Sequence, residues 1–238
     1  MIQKLENSHF LISELYQSYR DEWQSGQGQR DRERRKYFYF SDISKCPRQV
    51  YYEFTIPEEK RTISDKTLYL FAIGNLLHDD IQQRYRSRKV AEAPRDIEFG
   101  LESDEINATG RLDMIAAEYR FIPEAEGLAV VEIKTKVPYS LEAEEPEQYE
   151  IDQLLLYIDS MKKKKSIRDQ KVLDHGYILY LDRAAMAEEP IAAWKIDFDG
   201  SRLQEILSWF KMITDYIASG NPQDRPYERK STYCQFCR

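Results

Sequence analysis

At 238 residues the chain is long enough to bury a substantial core as one large domain with a small appendage. Charged residues make up 32% and mean hydropathy is −0.69, yet apolar residues at 42% and seventeen tyrosines exclude a disordered chain and point to a globular protein with an unusually polar surface. A net charge of −7 argues against indiscriminate nucleic-acid binding, because phosphate contacts come from Lys and Arg.

No apolar run approaches the length of a membrane span, and the N-terminal MIQKLENSHF lacks the apolar core of a signal peptide, so a cytoplasmic protein with no membrane partner is expected. The acidic average hides two basic tracks, Arg30, Arg32, Arg34, Arg35 and Lys36, and then Lys162 to Lys165. Such clusters are more often solvated faces than contact surfaces. The three cysteines, Cys46 and the pair Cys234-x-x-Cys237, suit a reduced compartment and look less like disulfides than like metal ligands.

Residues 8–24 repeat apolar positions at Phe10, Leu11, Leu15, Tyr16, Tyr19 and Trp23, which predicts an amphipathic helix, and GQGQRDRERR after it reads as a linker or basic loop. In FYFSDISKCPRQVYYEF, Ser41 or Ser44 can cap a helix whose first turn takes Pro47, with Cys46 at its start. A long helix is expected over 64–89, with Leu70, Phe71, Ile73, Leu76, Leu77, Ile81 and Tyr85 inward and His78 upon it. A single helix histidine is more often structural or exposed than a ligand. Pro94 closes this region, and DIEFGLES leads on as a strand.

The rest of the chain is organised around 108–134. INATGRLDMIAA and LAVVEIKT both have strand character and are separated by the turn-like FIPEAEG. Alternation places Glu132 and Lys134 on one face of their strand with Ile133 pointing into the core, and a hairpin partner can bring Asp113 beside them. A Glu-x-Lys on a strand is usually an exposed salt bridge. Here the apolar run Leu128, Ala129, Val130, Val131 and Ile133 implies a strand covered on both faces, where planted charges need partners or a metal. Magnesium-like cations take one or two carboxylates plus water and phosphate oxygens, so this trio can hold an ion against a phosphodiester, with Lys134 orienting the attacking water.

A loop with Pro138 and Pro146 then enters the helix EQYEIDQLLLYIDSMKKKK, in which Gln153 and Tyr157 lie on one face. HGYILYLD and AAWKIDFD read as strands, and SRLQEILSWFKMITDYIASG as a last helix ending at Gly220. The order is helices, then strand-strand-strand-helix-strand-strand-helix, an α/β fold with a central mixed sheet flanked by helices.

GNLLH at 74–78, GRLD at 110–113, EIK at 132–134 and QLLLY at 153–157 resemble, in order and rough spacing, the motifs of PD-(D/E)XK nucleases of the RecB type. SDISKCPRQVYYE and YCQFC are similar to the iron–sulfur branch of that superfamily, which includes the CRISPR-associated adaptation exonucleases and the AddB-like helicase nucleases. The resemblance covers about residues 40–238. It implies a restriction-endonuclease-like core over 91–220, an N-terminal helical region over 1–90, and a tail over 221–238 joined to that region by a metal cluster.

The same resemblance implies that His78, Asp113, Glu132 and the Ile133 carbonyl bind magnesium or manganese. Asp113, Glu132 and Lys134 would be catalytic, and Gln153 and Tyr157 substrate-side. Thiolates at this spacing suit zinc or iron–sulfur alike, and the resemblance decides for a 4Fe–4S cluster on Cys46, Cys234 and Cys237. The fourth ligand would be a cysteine past Arg238 or a substitute. The implied activity is metal-dependent hydrolysis of DNA, as an exonuclease on single strands or ends, in CRISPR spacer acquisition or in recombination and repair. The implied protein partners are CRISPR integrase proteins or a helicase. The rival expectation is a non-catalytic DNA-binding or assembly module that keeps the nuclease fold.

Overall fold

The computed structural model describes residues 10–30, 35–55, 64–88, 97–120, 122, 126–136, 145–164, 170–184 and 190–221. Cys234 and Cys237, Lys165, Arg32, Arg34, Pro94 and Pro138 lie outside the described residues. The helices are α1 (Phe10–Arg30), α2 (Pro47–Thr55), α3 (Asp65–Ser87), α4 (Gln148–Lys163) and α5 (Gly200–Ser219). The strands are β1 (Phe38–Tyr39), β2 (Ile97–Ser103), β3 (Ala108–Ala117), β4 (Leu128–Lys136), β5 (Val172–Asp182) and β6 (Ile191–Asp197).

These strands form one six-stranded mixed sheet. β2 runs antiparallel along one edge of β3, from Ile97↔Met114 to Ser103↔Ala108. The opposite edge of β3 is therefore shared: β4 pairs antiparallel at Met114↔Val131 through Ala117↔Leu128, and β1 pairs parallel at Phe38↔Ala108 and Tyr39↔Thr109. Between them, residues 110–113 of β3 have no strand partner on that side among the described residues. β4 continues in parallel register with β5 as far as Lys136↔Asp182, and β5 pairs antiparallel with β6.

Alternation along the strands divides the core. Ile115, Val130, Ile178 and Tyr180 pack with Leu154, Leu155 and Ile158 of α4 and Phe210 and Ile213 of α5. Met114, Val131, Ile133, Leu179 and Leu181 face the other way and receive Leu77, Ile81 and Tyr85 of α3. Each fully buried aliphatic side chain stabilises the fold by about 1.5–3 kcal/mol relative to its exposure, so this two-sided packing fixes where β4 can lie. Among the described residues no helix is long and apolar enough to cross a membrane.

Several local expectations change. α1 runs on to Arg30 through Gly26 and Gly28, where a linker was expected, because two glycines cost a helix only about 1 kcal/mol each. Pro47 opens α2 as expected, whereas Ser41 and Ser44 belong to a separate 3₁₀ turn, Phe40–Ser44. On α3, Ser64 caps the helix through Thr67 N, but Phe71 and Leu76 point outward at 47% and 68% exposure. The apolar positions of α3 span too wide an arc for one sheet contact, and the 77/81/85 row is the one seated. Arg35 is no free basic patch: it pairs with Asp42 and Glu53 and lies over the Tyr39 and Phe54 rings.

Candidate active site

The site forms where β3 and β4 part. Asp113 lies one residue before the last β3–β4 pair, Met114↔Val131, so its carboxylate fills the opening gap and its Oδ2 accepts from Ile133 N at 2.7 Å. Ile133 itself is 1% exposed and sits opposite Leu179 of β5. From the α3 side, His78 Nδ1 stands 3.6 Å from Asp113 Oδ1. Gln82, one turn further along α3, donates to the Asp113 carbonyl at 3.1 Å and is 4% exposed. Its position four residues after His78 was the available signal for this residue, which the sequence reading missed.

From the other face, Lys134 Nζ donates to Glu132 Oε1 at 2.7 Å and to Gln153 Oε1 at 3.1 Å. Gln153 Nε2 donates to Tyr157 OH at 3.2 Å, and that hydroxyl donates to the Arg111 carbonyl at 2.8 Å. Gln153 and Tyr157 are both buried. Their polar atoms thus form a relay from the Arg111 carbonyl of β3 to the Lys134 ammonium. Gly110 makes room for it: a Cβ there would lie 2.5 Å from Phe40 Cδ2 and 2.8 Å from Tyr157 Cε1.

A second lysine follows on the same strand face. Lys136 Nζ stands 2.9 Å from Glu150 Oε1, and Glu150, 2% exposed, also accepts from the Tyr180 hydroxyl. This pairing locks the end of β4 to the first turn of α4, the turn that precedes Gln153.

Glu132 is 3% exposed, and its Oε2 has no hydrogen-bond partner. Burial pushes its carboxyl up to about 7 against the pull of Lys134, and Asp113 adds to the rise. Burial also opposes the Lys134 ammonium, but the Glu132 carboxylate outweighs it and holds that pKa above the usual lysine value. His78 follows the same pattern: desolvation disfavours the imidazolium, and the Asp113 carboxylate more than compensates. Burial, with the nearby Glu132 charge, raises the Tyr157 hydroxyl far above the ordinary phenol range.

Among the described residues no three His, Cys, Asp or Glu side chains already clasp one point in space. The donor set nonetheless suits a hard divalent cation, which needs one or two carboxylates and fills its remaining positions with water and phosphate oxygen. Glu132 Oε2 and the Asp113 Oδ1 edge are the oxygens that can supply it, with His78 alongside. An orphaned, deeply buried carboxylate oxygen is the feature a cation would satisfy.

Cys46 is 4% exposed, next to Pro47 at the start of α2. Among the described residues of the lysine run at the far end of α4, Lys162, Lys163 and Lys164 are engaged within the chain. Lys162 pairs with Asp174, Lys163 with Asp159 and Glu105, and Lys164 donates to the Gly100 carbonyl at 2.6 Å.

No protein-family model matches the chain, and no curated protein matches it in sequence. Solved structures similar to it include the following two. One is SSO0001, at 19% identity and a TM-score of 0.49, covering 77% of this chain and 78% of that one. The other is a candidate exonuclease from Eubacterium rectale, at 12% identity and a TM-score of 0.46, covering 100% of this chain and 94% of that one.

Proposed function

We propose that the chain is a divalent-metal-dependent nuclease of the PD-(D/E)XK type that hydrolyses DNA phosphodiester bonds, as an exonuclease on single strands or ends. The observation that carries this reading is the buried Glu132 carboxylate, with one oxygen held by Lys134 and the other unpartnered, beside Asp113 in the β3–β4 gap. A scaffold would not need to bury a carboxyl whose pKa is pushed up to about 7.

In this reading Asp113 and Glu132 hold magnesium or manganese, with His78 and the Ile133 carbonyl as further ligands. The ion, when bound, supplies electrostatic stabilisation of the charge that builds on the phosphoryl oxygens. Lys134 transfers part of its hydrogen bonding from Glu132 to the attacking water and holds that water in line with the scissile bond. Gln153 and Tyr157 are positioning residues: they fix the ammonium from behind, so that its orientation does not depend on substrate.

The test is cleavage of end-labelled single-stranded DNA in magnesium or manganese by the wild type and by Lys134→Ala and Glu132→Ala. Loss of one such group costs about 10²- to 10⁴-fold in rate. Undiminished cleavage by either folded variant sinks the assignment. A wild type that binds DNA but never cleaves it, in either metal, supports the non-catalytic module.

A further inference from the structure

Between α1, α3 and the ends of β4 and β5 lies a cavity of about 620 Å³. α1 is the helix that lies outside the region of family resemblance, so nothing in that resemblance assigns the cavity a ligand. The helix is held there by Arg20, whose guanidinium donates to both Asp65 oxygens at 2.8 and 3.0 Å. Below, Trp23 and Phe71 lie with ring centroids 5.9 Å apart at an interplanar angle of 30°.

The wall chemistry changes across the cavity. Trp23 and Phe71 make one side aromatic, with Glu22 on the same helix as Trp23, while Thr135 and Arg183 line it from the ends of β4 and β5, and His78 lines it as well. Arg183 is fixed at that end by its backbone N, which donates to the Lys136 carbonyl at 3.2 Å. The space is thus continuous with the proposed metal site through His78, and with the strand that carries Glu132 and Lys134 through Thr135.

We infer that this cavity seats an unpaired nucleobase of a single-stranded nucleic acid, stacked on the Trp23–Phe71 pair, while the strand's phosphate passes along the Thr135–Arg183 wall toward His78. The inference rests on the nuclease reading for the direction of the strand. A centroid separation of 5.9 Å leaves no slot between the two rings, so the base stacks on the ring surface that lines the cavity, and Phe71, 47% exposed, offers such a surface. The volume falls within the range of about 300–1,000 Å³ that holds drug-sized ligands, which fits one or two nucleotides and not a duplex. Glu22 and Arg183 give the cavity a polarity: phosphate is repelled from the α1 side and attracted to the strand side. An exposed aromatic that would be a liability on a solvated helix is accounted for, because every base offers a π-face to it.

The test compares binding, in EDTA so that no cleavage occurs, of a labelled 20-mer oligodeoxythymidylate and an abasic 20-mer of equal charge. The wild type is expected to prefer the strand with bases. Trp23→Ala and Phe71→Ala each weaken its binding roughly 5- to 150-fold, Trp23→Phe largely retains it, and the double alanine variant binds both strands alike. A wild type that binds the abasic strand as tightly overturns the inference without any variant. So does a double alanine variant that changes oligomeric state at unaltered oligonucleotide affinity, since the face is then a protein interface. Cleavage in manganese separates the two readings. Cleavage without base-dependent binding removes the stacking site and leaves the nuclease, and base-dependent binding without cleavage does the reverse.

Discussion

Lys134 Nζ lies 2.7 Å from Glu132 Oε1 although the two residues belong to one strand, so the period of the strand alone supplies the acid–base pair at the centre of the site. Burial decides how that pair titrates. Glu132 holds its proton up to about 7, well above an ordinary carboxyl value of 4.5. A folded-state pKa raised above the unfolded one contributes stability that is fully present below about 4.5 and lost as pH rises through about 7. In EDTA, the melting temperature of Glu132→Gln should therefore gain on that of the wild type between pH 5 and pH 8. Magnesium or manganese should stabilise the wild type more at pH 8 than at pH 5, because below about 7 the ion competes with a proton. A pH-independent difference between the two proteins would show that Glu132 is not the titrating group.

Gln153 touches Lys134 and Tyr157, not the gap that holds Asp113, so its replacement separates positioning from chemistry. Gln153→Leu keeps the buried volume and removes the acceptor. We expect kcat to fall about 10- to 100-fold with KM for single-stranded DNA little changed, the usual scale for a residue that orients a site group. Steady-state kinetics on a labelled oligonucleotide give both numbers. A rise in KM at constant kcat would instead place Gln153 on the substrate.

Much of this arrangement was legible in the sequence, because it depends on local period. β2 to β6 and α3 to α5 have alternating or helical patterns long enough to read, and the hairpin of β3 and β4 follows from them. What escaped was non-local. β1 is only Phe38–Tyr39, defined by parallel pairing with Ala108 and Thr109 far along the chain, and no pattern of its own announces it. The pairing of Arg35 with Asp42 and Glu53 engages that member of the basic cluster within the fold, which charge counting cannot foresee. The outward turn of Phe71 depends on the docking of α1 through Arg20 and Asp65.

The lysine run gives a prediction that follows from its partners. Nine residues of helix, about 14 Å, separate Lys162 from Gln153. Lys162 also lies over the Phe198 ring and Lys164 over Phe99. Lysines already bound to carboxylates and carbonyls release few counterions when DNA arrives. Neutralising Lys162 and Lys164 together should change the log–log salt slope of single-strand binding by much less than the roughly 0.7 per residue of a true phosphate contact. It should lower thermal stability slightly instead. A slope that falls by the full amount would put the strand on this end of α4.

The last prediction concerns Cys46, for which we propose a place in an iron–sulfur cluster with Cys234 and Cys237. α2 packs against α5, and the Tyr51 hydroxyl donates to the Gly220 carbonyl at 2.8 Å. The segment that carries Cys234 and Cys237 therefore departs from a point fixed to the same helix that Cys46 introduces. A cluster between them would close a loop of nearly two hundred residues, and its binding free energy would become folding free energy. Anaerobically purified protein should be brown and contain iron and acid-labile sulfide. Cys46→Ala should bleach it and lower its melting temperature, and Cys234→Ala should do the same, while Cys46→Ser retains the size of the side chain and isolates the loss of the thiolate. Colourless protein with stoichiometric zinc would replace the cluster by a zinc site of the same connectivity. Protein with neither metal, and a Cys46→Ser variant as stable as the wild type, would leave Cys46 as a small apolar side chain packed beneath α2.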